Sequence, residues 1–213
     1  MKSNHTNNNE NRGVTLWFTG LPCSGKTTVS QLVFDQLQQS GARVELLDGD
    51  IVRQKLTKGL GFSREDRDEN IRRIGFVCHL LTRNGVIAMA AAISPYRAVR
   101  DELRSLIECF VEVYVDCPLE VCKQRDVKGM YKRALAGELA HFTGVSDPYE
   151  KPLHPDLVLF TNEEIPEESA RKVVELLVSR GCVTEKLLAQ VAPNALGREQ
   201  THGGRSRQAT GQL

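Results

Sequence analysis

Val14-Thr15-Leu16-Trp17-Phe18-Thr19 runs directly into Gly20-Leu21-Pro22-Cys23-Ser24-Gly25-Lys26-Thr27. The first six residues are β-branched and aromatic and are bounded by glycine, which is strand composition. The next eight follow the pattern G-x-x-x-x-G-K-[ST], and each residue type in it has a reason. The glycines let backbone N–H groups turn inward and line a concave nest for phosphate oxygens. A helix opening near Lys26 aims its positive end at the same point. Lys26 is placed for the β- and γ-phosphates of a nucleotide, and the Thr27 hydroxyl for a Mg²⁺ ion. At average composition the pattern arises by chance in roughly one chain of this length per hundred. A strand before it and a helix after it are the context that makes it a phosphate loop.

Outward from this stretch, strand and helix patterns alternate. Val29, Leu32, Val33 and Leu37 mark one face of a helix over 27–39 that ends at Gly41. Val44-Glu45-Leu46-Leu47 is a second strand, ending at Asp48-Gly49-Asp50. A short helix is expected over 51–58 and a long one over 64–84. Val86 to Ile93 is nearly continuous apolar sequence, the mark of a strand buried on both faces of a parallel sheet. Pro95 can open the next helix, to about Ile107. Phe110 to Val115 and Leu157 to Phe160 are further strands, with helices expected at Pro118 to Arg125 and Pro166 to Val178. The fold class is therefore α/β: a three-layer α/β/α P-loop NTPase fold around a mostly parallel sheet. Its ligands belong at the carboxyl ends of the strands.

Residues 126–155 break the alternation, with glycine and proline breaks, many charges and little apolar periodicity; such an excursion in a compact domain reads as a functional lid. The domain is expected over 13–181. Residues 1–12 are Asn-rich and expected to be disordered, with no apolar stretch of the kind a signal peptide needs. The extension over 182–213 is expected to be largely disordered, with Leu187 to Val191 able to prolong the last helix.

The 213 residues carry 28 Lys+Arg against 27 Asp+Glu, so no net field attracts nucleic acid or an anionic membrane, and neither is expected as a partner. A local basic cluster remains enough for a small polyanion. Cys23, Cys78, Cys109, Cys117, Cys122 and Cys182 form no C-x-x-C and have no histidine at zinc spacing. Reduced thiols in a cytoplasmic protein are the simpler reading, a redox pair the other.

No N-K-x-D guanine-reading motif exists, and the third strand ends Ala91-Ala92-Ile93-Ser94 without a Walker B aspartate. Val113-Tyr114-Val115-Asp116 mimics one, but Asp116 is expected to cap the helix at Pro118. A small-molecule kinase with a lid fits better than a switch GTPase or a motor. Asp48-Gly49-Asp50 reads evenly as a strand-end turn or as carboxylates that orient an acceptor hydroxyl. Arg53, Arg64, Arg67, Arg72 and Arg73, with Phe62 and Asn70 among them, read as a solvated helix face or as anion-binding forks beside a stacking ring.

Together these segments resemble a known family. Asp48-Gly49-Asp50-Ile51-Val52-Arg53, Leu60-Gly61-Phe62-Ser63 and Asp66 to Gly75 closely resemble adenylyl sulfate (APS) kinases. So do Ile93 to Arg97, Arg125 to Lys132, Phe142-Thr143-Gly144 and Pro148-Tyr149-Glu150, all in family order between about Val14 and Gly181. The resemblance implies Mg²⁺-dependent transfer of a phosphoryl group from ATP to the 3′-hydroxyl of APS, by a homodimer. It implies that Gly20 and Cys23 to Thr28 (Ser24, Gly25, Lys26 and Thr27 between) hold the ATP phosphates, and that Arg125 packs by the ATP base. Asp48 and Asp50 would sit by the reacting hydroxyl, with Asp50 as base or orienter. Arg53, Arg67 and Asn70 would bind the phosphosulfate and ribose, and Phe62 and Phe142 would sandwich the APS adenine. Ile93 and Ser94 would line the acceptor pocket, Val145 and Ser146 would touch the adenine through their backbone, and Lys132 would reach the moving phosphoryl group from the lid.

For Ser94 the family implies a phosphoserine intermediate, yet no neighbour in sequence supplies the base a nucleophilic serine needs. Direct transfer, with Ser94 as a hydrogen-bonding wall, is the expectation. The chain departs from the family at Ile51 (usually Asn), Leu135 (usually Arg) and Val145-Ser146 (usually Ile-Asp). Two alternatives remain: a P-loop kinase for another small acceptor, and a catalytically silent nucleotide-binding partner.

Overall fold

The computed structural model describes residues 13–183. The expectations for 1–12 and for 184–213, including the extension at Leu187 to Val191, lie outside the described residues. Five strands form one parallel sheet in the order β2-β3-β1-β4-β5. They are β1 (Val14–Thr19), β2 (Val44–Asp48), β3 (Ile87–Ala91), β4 (Phe110–Asp116) and β5 (Leu157–Phe160). The register sets Phe18 and Asp48 each opposite Ala91, and Thr19 opposite Tyr114, so the strand ends line up along one edge.

The strand period of two divides β1 between two cores. Leu16 and Phe18 enter the layer under α1 (Lys26–Gln39) and α7 (Pro166–Ser179), where Val33, Leu37, Val173 and Leu177 meet them. Trp17 enters the opposite layer with Ile74 of α3 (Arg64–Arg83) and Leu103 of α4 (Arg97–Leu106). The remaining helices are α2 (Gly49–Lys55), α5 (Leu119–Arg125) and α6 (Met130–Leu135). No helix among the described residues is long and apolar enough to cross a membrane.

Helix starts follow their local chemistry. Ser63 caps α3 by accepting from Asp66 N, with Glu65 and Asp66 in the first turn complementing the dipole. Proline at the start of α7, with Glu167 and Glu168, does the same there.

Three details differ from the sequence reading. Pro95 does not open α4: the helix begins at Arg97, and the Pro95 carbonyl accepts from Glu150 N, which makes it part of the lid seam. Asp116 does not cap α5, whose cap position is Pro118; its carboxylate accepts instead from the Tyr114 hydroxyl at 2.7 Å and pairs with Lys151. A third detail, the lid's helix, has no counterpart in the sequence reading. The six-residue α6 buries Tyr131 and Ala134.

Candidate active site

The phosphate loop hangs from the end of β1. At Gly20 a Cβ would lie 2.5 Å from the Val115 carbonyl oxygen, so only glycine lets the loop pass so close to β4. Gly25 enters α1 at φ 100°, where a side chain is strained. Unlike α3, α1 has neither a side-chain cap nor an acid in its first turn. An acid there would repel a phosphate; its absence leaves the positive end of the helix to an anion. Lys26 is buried, and its Nζ donates to the carbonyls of Gly20 at 2.9 Å and Leu21 at 2.7 Å.

Next to the loop, the Thr27 hydroxyl donates to Asp48 Oδ2 at 3.1 Å, joining the end of β2 to the start of α1. Both residues line a cleft of about 1050 Å³ that runs along the strand ends. Cys23, Gly25, Lys26 and Thr28 line one end of it, with Arg125. Arg53, Phe62, Arg67, Asn70 and Phe142 line the other, with Ile93 and Ser94 between. Three non-glycine residues among those described have left-handed backbone, Cys23, Ser94 and His141, and all three line this cleft. Such conformations cost about 1–3 kcal/mol each and persist where the surroundings impose them, as at binding sites.

Each side chain at the far end is fixed. Arg53 stacks over Phe62 at 4.4 Å and donates to the Gly61 carbonyl. Buried Asn70 accepts from the Thr57 hydroxyl at 2.8 Å through its Oδ1, which leaves its NH₂ end as the donor for other groups. Arg67 is buried beneath the lid, where its guanidinium donates to the Phe62 and His141 carbonyls and to the Thr143 hydroxyl. Burial pulls its pKa below the ordinary arginine value, against the opposing pull of Asp147. Arg64 stacks on Tyr96, while Arg72 and Arg73 pair with Glu102 and Glu69 on the surface. The arginine run thus divides, with Arg53 and Arg67 at the cleft and Arg72 and Arg73 on a solvated face.

Ser94 is buried, and its Oγ accepts from the Trp17 indole N–H at 2.9 Å. Arg100 holds the loop from below. It is 1% exposed, paired with Glu112 at 2.8 Å, and donates to the carbonyls of Ser94 and Glu150. Thr161 does the same at the nucleotide end: its hydroxyl donates to the Ser24 carbonyl at 2.6 Å and its carbonyl accepts from Arg125 at 2.5 Å. Sequence reasoning passed over Trp17, Thr57, Arg100 and Thr161, whose motifs are silent because their partners lie far away in the chain. It also passed over Lys128, which lines the cleft from a segment already suspected as a lid.

Some expected residues do not line the cleft, and the side chain of one is not described. Gly20 and Ser24 are buried members of the loop and do not line the cleft. The Asp50 backbone is in α2, and its side chain lies outside the described part of the structure. Lys132 is exposed on α6 and does not line the cleft. Nor do Val145 and Ser146: Val145 packs against the Cys117–Cys122–Tyr131 cluster, and the Ser146 hydroxyl accepts from Phe142 N at 2.8 Å. They shape the turn that presents Phe142. Leu135 is exposed on α6.

The comparisons agree with this geometry. The family model described as adenylylsulphate kinase matches residues 12–160. The chain belongs to the adenylyl-sulfate kinase family. It is 59% identical over 175 residues to the adenylyl-sulfate kinase of a Picosynechococcus species, covering 82% of this chain and 99% of that protein. Among solved structures it is similar to the Mycobacterium tuberculosis APS kinase CysC in complex with AMPPNP and APS. There the identity is 44% and the TM-score 0.75, with 78% of this chain and 98% of that one covered. A hexameric APS kinase from Thiobacillus denitrificans is 35% identical with a TM-score of 0.64, covering 83% of this chain and 31% of that one. The chain therefore brings residues from most of the quoted motifs to one cleft, with Gly20, Ser24, Lys132, Val145 and Ser146 outside its lining.

Proposed function

We propose that this chain transfers the γ-phosphoryl group of ATP to the 3′-hydroxyl of APS, giving 3′-phosphoadenylyl sulfate and ADP. One observation carries the reading. A phosphate loop and an aromatic–arginine wall, two recognition surfaces of different chemistry, face one continuous cleft with Asp48 and Ser94 between them. Family membership names the acceptor that suits the second surface.

ATP enters with its phosphates on the loop and the N-terminus of α1, and with its base beside Arg125. Phosphate oxygens compete with the Gly20 and Leu21 carbonyls for Lys26 Nζ, which follows the charge onto the β- and γ-groups. Thr27 and Asp48 are hard oxygen donors 3.1 Å apart at the mouth of the loop. Mg²⁺ asks for no more than one or two protein oxygens beside water and phosphate, so this pair fits it. Bound there, Mg²⁺ supplies neutralisation of the β- and γ-oxygens. APS enters opposite, its adenine between Phe62 and Phe142 and its anionic and ribose oxygens on Arg53, Arg67 and Asn70. Asp50 orients the 3′-hydroxyl and takes its proton. Ser94 hydrogen-bonds within the pocket. Its bonded neighbour is an indole N–H, a donor that offers no base, so direct in-line transfer is favoured over a phosphoserine. Lys132 reaches the transferred group only if α6 turns toward the cleft.

For assembly we infer a homodimer, on family resemblance. The hexameric relative gives the competing state, and sedimentation separates the two. A cytoplasmic location suits Cys23, Cys78, Cys109, Cys117 and Cys122 as thiols.

ATP labelled in its γ-phosphate, incubated with APS, Mg²⁺ and the protein, tests the reaction. The expected product keeps its sulfate and loses all label to a 3′-nucleotidase. Label retained on Ser94 replaces direct transfer by a two-step route. Label that never leaves ATP contradicts the function.

A further inference from the structure

Behind the cleft, in the cluster with Cys117 and Cys122, lies one side chain to which no motif assigns a role. Tyr131 lies on α6 and is 1% exposed. Its hydroxyl donates to the Pro22 carbonyl, inside the phosphate loop, at 3.1 Å. Its ring meets the Phe142 ring edge-on, centroids 5.0 Å apart with planes at 79°. One residue therefore touches the backbone of the nucleotide end and the aromatic wall of the acceptor end.

We propose that Tyr131 is a positioning residue that couples the two binding events, so that nucleotide on the phosphate loop sets the Phe142 ring for the acceptor. The inference rests on the function proposed above and deepens it.

The contacts around Tyr131 support a strut rather than a loose filler. Asp126 Oδ1 accepts from Tyr131 N at 3.0 Å and Oδ2 from Lys132 N at 3.0 Å, which pins the start of α6. Those backbone donors hold the Asp126 carboxylate below its ordinary pKa, outweighing the burial that works against them. The ring packs with Cys117 and Cys122 and against Leu21 and Cys23 of the loop and Val145 of the lid. Burial raises the phenol above its ordinary pKa, so it stays a donor across the working range.

The loop end of the strut can respond to nucleotide. Lys26 Nζ donates to the Leu21 carbonyl, which belongs to the peptide joining Leu21 to Pro22. A phosphate that draws Lys26 away changes the hydrogen bonding of that peptide, one residue before the carbonyl that Tyr131 holds. Phenylalanine at 131 keeps the ring contact with Phe142 and loses only the bond to the loop.

The test measures APS affinity by calorimetry, with and without a non-hydrolysable ATP analogue and Mg²⁺, on wild type, Tyr131→Phe and Tyr131→Leu. In wild type the analogue is expected to tighten APS by about fivefold or more, the scale of ordinary coupling between sites. In Tyr131→Phe that ratio falls to within about twofold of one, while APS affinity without nucleotide and the melting temperature stay near wild type. Tyr131→Leu also weakens APS without nucleotide, because the support of Phe142 goes too. A wild-type ratio kept in Tyr131→Phe, or a ratio of one in wild type, overturns the coupling alone. No binding of APS to the wild type overturns the function and this inference together.

Discussion

Along one wall of the cleft the phosphate loop continues from β1, whose Thr15 to Thr19 are fully buried between two layers of helices. Along the other wall, the lid over 126–155 buries only Tyr131, Ala134 and Thr143. The first wall is shaped by glycines and a helix end within eight residues of each other. The second is held from outside. Arg67 of α3 grips the His141 carbonyl and Thr143, Arg97 N of α4 donates to Glu150 at 2.9 Å, and Arg100 grips the Glu150 carbonyl. A wall made of core resists local opening, whereas a wall made of a few hydrogen bonds opens at low cost. The difference suits the chemistry, since the phosphate nest must be preorganised while the acceptor side must admit and release a nucleotide.

The sharpest way to break this contrast is at the buried pair beneath both walls. Arg100→Met leaves Glu112 with only its weaker pair to Arg104, at 3.3 Å, and removes the bonds to Ser94 and Glu150. A loss of about 3 kcal/mol in unfolding free energy, the low end for breaking a buried pair, is expected from urea titration. Lys26→Ala strikes the first wall alone. Steady-state kinetics should show kcat down by about 10²–10³-fold or more, with the urea midpoint little changed.

The rear of the lid can be probed with acid. Asp156 accepts from Arg104 at 2.8 Å, from Glu112 N at 2.8 Å and from Arg180 at 2.6 Å. Burial works to raise its pKa, but these donors, Arg104 first, hold it below the ordinary carboxylate value. A carboxylate with a lowered folded-state pKa contributes stability above its unfolded pKa and loses it as pH falls through the folded one. Between about pH 6 and pH 3, wild type should therefore lose more stability than Asp156→Asn in paired urea titrations. The smallest effect is expected at Ser94→Ala. It removes the acceptor of the Trp17 indole and should change kcat by less than about tenfold; a loss beyond about a thousandfold would restore a covalent role.

The same contrast explains what the sequence made legible. The sheet, the strand-end location and the phosphate loop rest on local patterns: alternation, a continuous apolar run, glycines at fixed offsets. The lid rests on partners far apart in sequence, so composition said only that it was unusual. Arg67 was picked out as an anion fork by type and position, yet three of its donors hold the lid and Phe62. Asp116 looked like a cap, but the Tyr114 hydroxyl, two residues back on the same strand, and the distant Lys151 claim its carboxylate. The Ser146 hydroxyl closes the turn behind Phe142, a side-chain role that the expected backbone contact did not reveal. Family resemblance found the acceptor half of the cleft that local patterns left undecided between a solvated face and a binding site.

The most direct measurement is release of ADP from ATP and Mg²⁺ with APS, AMP or gluconate as acceptor, on wild type and Lys26→Ala. The account expects turnover with APS alone, cut by about 10²–10³-fold or more in Lys26→Ala. Turnover with another acceptor and none with APS, or no turnover with normal ATP binding, would contradict it.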